Sequence, residues 1–154
     1  MINDWIFKVG DGINFANSSK FKIWGIQEKI SKSFINNVKE GDRLWFVNNN
    51  KGSKIIATAT YKSHNKRNFG ELINISHTNE ELGWNEDAKK FNIEIHYADL
   101  YDLSSYNLLT YIRGPFIIRK FNSFTCEVNL ETEIIYITRY CKTTNELTQS
   151  VAIY

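Results

Sequence analysis

The sequence contains little of several residue types that would define a class of protein. It has only two cysteines, Cys126 and Cys141, far apart in the chain, so it indicates no disulfide framework. Its single proline, Pro115, and its eight glycines form no linker. No apolar run approaches the roughly 20 residues of a membrane helix, and the first residues lack the basic and apolar regions of a signal peptide. We therefore expect one intracellular protein, cytoplasmic or nuclear, that folds without disulfides.

Groups that support hydrolytic or redox chemistry are also scarce. The three histidines, His64, His77 and His96, are not at metal-ligand spacing, which argues against a zinc or iron site. No glycine-rich phosphate loop is present. Both cysteines lie in apolar, strand-like segments, where thiols are usually inert. The sequence thus predicts no cofactor, no metal and no enzymatic activity.

Net charge is small, whereas aromatic residues are abundant. The formal net charge is +2 and aromatic residues make up 14% of the chain. A nucleic-acid surface would therefore have to be a local basic patch. The two candidates are residues 62–67, which include Lys66 and Arg67, and Arg113 with Arg119–Lys120; a solvated loop would explain either one equally well. The aromatic residues could fill a core or stack on a ligand.

Alternating and short apolar segments predict an α+β fold with a curved or barrel-like sheet. The predicted helices cover Ser31–Val38 and Ser104–Ile112, with a helical turn in Asn14–Lys20. The predicted strands are Trp5–Val9, Arg43–Val47, Ile55–Tyr61, Asn92–Leu100, Phe124–Val128, Ile134–Tyr140 and Leu147–Ile153, the last two forming a hairpin. The segment Phe21–Ile26 alternates only in its first half and is expected to lead into a loop.

The four tryptophans fall into two groups. Trp5 and Trp45 lie within apolar strands, which favours a role in the core. Trp24 and Trp84 lie at the edges of elements and next to glycines, in Trp24-Gly25 and Gly83-Trp84. A glycine beside an indole allows close approach of a flat ligand, and two such rings could clamp a flipped base. The alternative is that both rings cap the ends of a barrel.

A family resemblance is carried by three segments. Lys20–Ile26 contains the Trp-Gly pair, a predicted helix follows, and Val38–Val47 contains a Gly41-Asp42 turn before an apolar strand. This order resembles the EVE domain pattern of the PUA-like superfamily, to which YTH and ASCH domains are related. The Phe-Lys-Ile-Trp run is also similar to the entry into the methyl-adenine cage of YTH domains, and Trp84 resembles the second cage wall in position.

The resemblance implies a PUA-like fold, with a curved mixed sheet or small barrel flanked by two or three helices and an extra C-terminal β-hairpin. Residues 1–122 would form the PUA-like domain. Residues 123–154 would form a β extension packed on the same domain.

It also implies a function and a site. The chain would bind DNA or RNA by accommodating a flipped base, modified or not, between Trp24 and Trp84. Phosphates would meet Arg113, Lys66 and Arg67. The remaining expected ligand contacts are Gly25, backbone groups from Lys8 to Asp11, and the side chains of Asn14 and Ser18.

Two other functions stay open. One is an ASCH-like amidohydrolase for a modified nucleoside, which would need a lysine (Lys8 or Lys22) paired with Asp11 or Glu28 in the pocket. The other is a protein-interaction module without nucleic acid, in which the C-terminal hairpin forms a homodimer and the Trp24 pocket is filled.

Overall fold

The computed structural model describes residues 3–48, 54–67, 77–84 and 90–104, together with the backbone of four further strands at 108–110, 118–121, 124–130 and 133–139. A 3₁₀ turn at Glu28–Ile30 precedes the second helix. The other elements, in chain order, are β1 (Asp4–Lys8), α1 (Ile13–Ser19), β2 (Ile23–Ile26), α2 (Lys32–Asn37), β3 (Arg43–Val47), β4 (Lys54–Lys66), β5 (Ile93–Asp102), β6 (Leu108–Thr110), β7 (Ile118–Phe121), β8 (Phe124–Leu130) and β9 (Glu133–Arg139).

Five strands in the order β1-β3-β4-β5-β2 form the part of the sheet that bears on function. β1 and β3 are parallel, and the other pairs in this series are antiparallel. The ladder between β4 and β5 is irregular at Thr58–Thr60 and at Tyr61–Ser63, and such irregularities bend a strand and increase its twist. β7 adds to β1, and β6-β8-β9 continue from the first residues of β4.

The concave side of these five strands packs on both helices. Phe34 of α2 is the centre of this core: its ring meets those of Trp5, Phe7 and Tyr61 edge to face, at centroid distances of 5.1, 5.2 and 5.8 Å. Such pairs contribute about 0.5–1.5 kcal/mol each beyond the burial of their area. Phe15 of α1 packs on the same core, with the centroid of its ring 4.4 Å from that of Phe46.

Two buried carboxylates join the ends of β1 and β3. Asp42 accepts hydrogen bonds from the indole N–H of Trp5 (3.1 Å) and the backbone N–H of Lys39 (3.0 Å). Asp4 accepts one from the indole N–H of Trp45 (3.0 Å) and lies 2.8 Å from Arg43 Nε. Burying these polar groups is tolerated because they are paired. The predicted core roles of Trp5 and Trp45, which are 1% and 0% exposed, are confirmed.

The predicted α+β class with a curved mixed sheet and two helices is confirmed, but one element is wrong. Within the predicted helix Ser104–Ile112, Leu108–Thr110 form strand β6, which pairs with both β4 and β8. A short apolar run fits either type of element, and here two strand partners decide it.

The predicted C-terminal hairpin of Ile134–Tyr140 with Leu147–Ile153 stays a prediction. β9 pairs with the preceding strand β8, whereas the predicted partner Leu147–Ile153 lies outside the described residues. The division at residue 122 stays a prediction. In the parts of the chain that the structure describes, neither helix has the length or hydropathy to cross a membrane.

Candidate functional site

A cavity of about 400 Å³ opens between the end of β1, the start of α1, and β2. This volume lies within the range of roughly 300–1,000 Å³ that is usual for small-ligand sites. We call it the tryptophan cavity, and its lining consists of Lys8, Val9, Gly10, Asp11, Asn14, Trp24, Gly25, Ile26, Gln27, Ile30, Lys90 and Phe91.

Trp24 differs from the other three tryptophans in what its indole N–H does. The indoles of Trp5, Trp45 and Trp84 all donate hydrogen bonds, to Asp42, Asp4 and the carbonyl of Asn14. The Trp24 indole makes none with the residues that the structure describes. Its ring is half-buried, held in β2 opposite Ile95, and forms a wall of the cavity. It therefore offers both a ring face and a donor to a ligand.

Trp24 and Trp84 do not form the predicted sandwich. Their rings contact each other edge to face, with centroids 5.9 Å apart and planes at 86°, so no base can lie between them. Trp84 is 7% exposed, packs with Ile23 and Leu82, and does not line the cavity. The prediction for Trp84 is therefore corrected: it packs edge to face with Trp24 and does not form a second, parallel stacking wall.

Gly25 contributes to the site through packing as well as space. A Cβ at this position would lie 3.0 Å from Phe91 Cβ and 3.1 Å from two ring atoms of Trp84. Glycine is therefore needed so that Phe91, which lines the cavity, and Trp84, which does not, can pack closely on β2. The sequence pattern found the position, but it attributed the glycine to the ligand alone.

Of the two predicted side chains on α1, only one reaches the cavity. Asn14 lines it, and its carbonyl also holds the Trp84 indole at 3.0 Å. Ser18 is fully buried, and its hydroxyl donates to the Phe15 carbonyl at 3.4 Å. Ser18 cannot contact a ligand in this arrangement, because it lies on the core face of the helix.

The charged groups of the cavity are Lys8, Asp11 and Lys90. Asp11 Oδ1 accepts the backbone N–H of Ile13 at 2.9 Å, which fixes the first turn of α1. Lys90 is exposed, with its Nζ 5.3 Å from the centre of the Phe91 ring. Sequence reasoning missed Lys90, although the run Lys89-Lys90-Phe91, two cations before an aromatic residue, was a usable signal.

Of the three residues predicted to contact phosphates, Arg67 does not have the exposed position that such a contact requires. Arg67 is buried: its guanidinium lies 3.3 Å from Glu94 Oε2, donates to Asn79 and to the His77 carbonyl, and packs on the Trp84 ring. Burial lowers the pKa of Arg67, and Glu94 opposes that effect. Arg67 is thus a structural cation, a correction to the prediction.

Lys66 and Arg113 remain as predicted contacts. Lys66 is exposed, with its Nζ 3.4 Å from Glu28 Oε2, and it lies outside the cavity lining. Arg113 lies outside the described residues.

A second cavity, of about 390 Å³, adjoins the first on the other side of the α1 start. We call it the helix cavity. Its lining consists of Asp11, Gly12, Ile13, Phe15, Ala16, Ser19, Asn48, Ile56, Ala57, Leu100, Asp102 and Ser104. Asp11 belongs to both cavities, so the segment Asp11–Asn14 forms the ridge between them.

Chemical machinery around the cavities is limited. Lys22 is exposed, lines neither cavity, and has a left-handed backbone conformation (φ 58°). Glu28 pairs with Lys66 instead. Lys8 and Asp11 do share the tryptophan cavity. Over the described ranges, no three metal-ligating side chains come together.

Comparison with known proteins identifies no family for this chain. No family model matches the sequence, and no curated protein matches it. Among solved structures, the chain is similar to one titled "Crystal structure of the Pho92 YTH domain in complex with m6A", with 13% identity and a TM-score of 0.44. That alignment covers 68% of this chain and 62% of the other, less than two thirds of its length. A likeness of this degree does not establish membership of a family.

Proposed function

We propose that this chain is a PUA-like module, related to EVE and YTH domains, that binds an unstacked nucleobase of DNA or RNA and does not transform it. The observation that carries the proposal is Trp24: a half-buried indole on the wall of an open cavity of about 400 Å³.

One-sided stacking supplies the main contact. A base on the cavity side of Trp24 would gain roughly 1–3 kcal/mol, as is typical for base–aromatic stacking. The buried Trp84 at 86° to Trp24 keeps the Trp24 ring from rotating freely. Val9, Ile26, Ile30 and Phe91 form the other apolar surfaces of the cavity.

Polar groups at the cavity edge can read the base. The Asn14 amide is able to donate and accept at once, as in paired contacts to an adenine edge. The Asp11 carboxylate accepts from amino groups. Backbone groups of Lys8–Asp11 add further contacts, and the Trp24 indole N–H adds a donor. These partners suit adenine, and an N6-methylated adenine retains one amino hydrogen for them.

Cations at the rim of the tryptophan cavity would position the nucleic-acid strand. Lys8 and Lys90 line the cavity, and Lys66 and Arg113 are the further phosphate contacts predicted from sequence. Contacts of this kind fix the register of the nucleic acid but carry no information about the base. DNA and RNA are both retained as partners.

The test is a titration with labelled single-stranded oligonucleotides, in DNA and RNA form, that carry adenine or N6-methyladenine. Trp24→Ala is expected to weaken binding by about 5- to 150-fold, which corresponds to roughly 1–3 kcal/mol, and Trp24→Phe by less. Tyr101→Ala is the control, because Tyr101 is 41% exposed and lines neither cavity. Equal binding by parent and Trp24→Ala would overturn the proposal.

A second candidate function is supported by Lys8 and Asp11, which line the same cavity. In an amidohydrolase for a modified nucleoside, an activated base would have to generate the nucleophile. Turnover of a panel of acylated and methylated nucleosides that is abolished by Lys8→Ala but not by Lys22→Ala would favour this function. The Lys22→Ala control is suitable because Lys22 is exposed and outside both cavities.

The third alternative, a homodimerisation module without nucleic acid, predicted an exposed apolar strand near Ile134–Tyr140, whose side chains lie outside the described part of the structure, and a filled Trp24 pocket. The cavity beside Trp24 is open, which favours a ligand-binding role instead.

A further inference from the structure

The helix cavity has the size of the tryptophan cavity and lies immediately beside it. The ridge Asp11–Asn14 divides them: Asn14 faces the tryptophan cavity, Ile13 faces the helix cavity, and Asp11 reaches both. Ile13 is 62% exposed, the highest value among the exposed large hydrophobic residues in the described part of the chain. Apolar side chains in such positions can separate neighbouring bases by wedging between them.

The walls of the helix cavity fit a flat, largely apolar ligand. Phe15, Ile56 and Leu100 provide apolar surface, while Asn48, Asp102 and Ser104 provide polar groups at its edge. The combination of apolar walls with a few convergent polar groups is typical of small-ligand sites.

The charge of the helix cavity restricts what can bind there. Asp102 Oδ1 accepts hydrogen bonds from the backbone N–H (2.9 Å) and the hydroxyl (2.6 Å) of Ser104. These bonds, with a smaller effect of Lys54, lower the pKa of Asp102. Its carboxylate is therefore ionised at neutral pH and acts only as an acceptor. Together with Asp11 it disfavours a phosphate inside the cavity and favours a group that donates hydrogen bonds.

We propose that the helix cavity is a second base site, which takes the neighbour of the base in the tryptophan cavity and prefers adenine or cytosine. The nucleic acid would then be a single strand with two consecutive bases splayed on either side of the Asp11–Asn14 ridge. The exocyclic amine of adenine or cytosine donates to Asp102, as carboxylates accept from the cytosine amine in known recognition. A uracil or thymine presents a carbonyl there and is repelled. This inference rests on the proposed function of the tryptophan cavity.

Two substitutions test it without disturbing the tryptophan cavity. Ala16 is an exposed residue of α1 that lines the helix cavity, so Ala16→Leu fills the space with a good helix former, and Ala16→Ser is its control. Asp102→Asn removes the charge but keeps an oxygen for Ser104.

The experiment compares adenosine monophosphate with the dinucleotides ApA, ApC and ApU, by calorimetry or displacement of a labelled oligonucleotide. The parent should bind ApA and ApC about tenfold more tightly than ApU. Ala16→Leu should remove the gain from the second base and leave the affinity for the mononucleotide unchanged. Asp102→Asn should remove the preference against ApU.

The outcomes separate this inference from the function on which it rests. If the parent binds oligonucleotides through Trp24 but Ala16→Leu and Asp102→Asn both behave as the parent does, the second base site is wrong and the proposed function stands. If the parent binds none of these nucleotides or oligonucleotides, both proposals fall.

Discussion

The indole of Trp24 meets that of Trp84 edge to face, with ring centroids 5.9 Å apart. Trp84 is itself fixed by the hydrogen bond from its N–H to the Asn14 carbonyl and by the Arg67 guanidinium, 5.7 Å from its ring centre. The orientation of Trp24 at the cavity therefore depends on a buried network behind it. This network connects the segment 77–84 to α1 and β4.

Arg67 should contribute to folding stability and not to phosphate binding. Its ion pair with Glu94 has both side chains fully buried, and removing one partner of such a pair typically costs about 3–5 kcal/mol. Arg67→Met is therefore expected to lower the free energy of unfolding, measured by urea denaturation, by an amount in this range.

Lys66→Met is the matched control, because its pair with Glu28 is exposed (64% and 40%) and such pairs contribute about 0–1 kcal/mol. Equal stability of the two variants would show that Arg67 is not held as described. The double variant Arg67→Met/Glu94→Leu should recover part of the loss, because it no longer leaves a buried charge unpaired.

The different environments of Lys66 and Arg67 could not be predicted from the sequence. Lys66 and Arg67 are equivalent in a basic run, and nothing local distinguishes them. They differ because Lys66 pairs with Ile93 on the next strand, which brings Arg67 within reach of the buried Glu94. That register is set by long-range strand pairing.

For other residues, the sequence pointed to positions that line the tryptophan cavity. Trp24 was selected because a Trp-Gly pair at the edge of an element is unusual, and Lys8 and Asp11 followed from the family resemblance. The burial of Ser18 could not be predicted, because the direction of its side chain depends on which face of α1 packs on the core. The run Lys89-Lys90-Phe91 indicates a candidate cation, but the position of Lys90 at this cavity could not be predicted, because the fold brings it there from a distant part of the chain.

Gly25→Ala should destabilise the protein. The added Cβ would press on Phe91 Cβ and the Trp84 ring at 3.0–3.1 Å, and overpacking of this kind typically costs about 1–3 kcal/mol. Thermal and urea denaturation measure the effect. Ala16→Ser is a suitable control, because it changes an exposed residue of similar size outside this contact. Unchanged stability of Gly25→Ala would mean that β2 does not pack as closely as described.

Binding should depend on salt, but only moderately. A net charge of +2 and few rim cations allow few phosphate contacts, each of which adds about −0.7 to the log–log slope on single strands. Lys90→Ala and Arg113→Ala should each remove one phosphate contact and so reduce the magnitude of the log–log slope by about 0.7. Lys32→Ala should not, because Lys32 is an exposed residue of α2 that lines neither cavity and lies outside both basic clusters. An unchanged slope removes the altered residue from the binding face.

His64 should make the folded protein less stable as the pH falls below about 6.5. Burial lowers the pKa of His64 from its ordinary value of 6.5. Its Nδ1 lies 2.6 Å from the Tyr61 hydroxyl, which can donate to an unprotonated ring nitrogen. The unfolded chain then binds more protons than the folded chain. The free energy of unfolding therefore decreases as the pH is lowered from the pKa of His64 in the unfolded chain to its lower pKa in the folded chain.

The measurement is urea denaturation of the parent and of His64→Gln between pH 7.5 and 5. Glutamine retains an oxygen that can accept from Tyr61, but it does not titrate. The carboxylates with lowered pKa, Glu81 and Asp102, have ordinary values of 4.5 and 3.8, so their contribution is lost only below this window. The parent should lose more stability than His64→Gln as the pH falls. Parallel curves for the two proteins would show that His64 is neutral or charged to the same extent in the folded and unfolded states, and that its burial has no effect on titration.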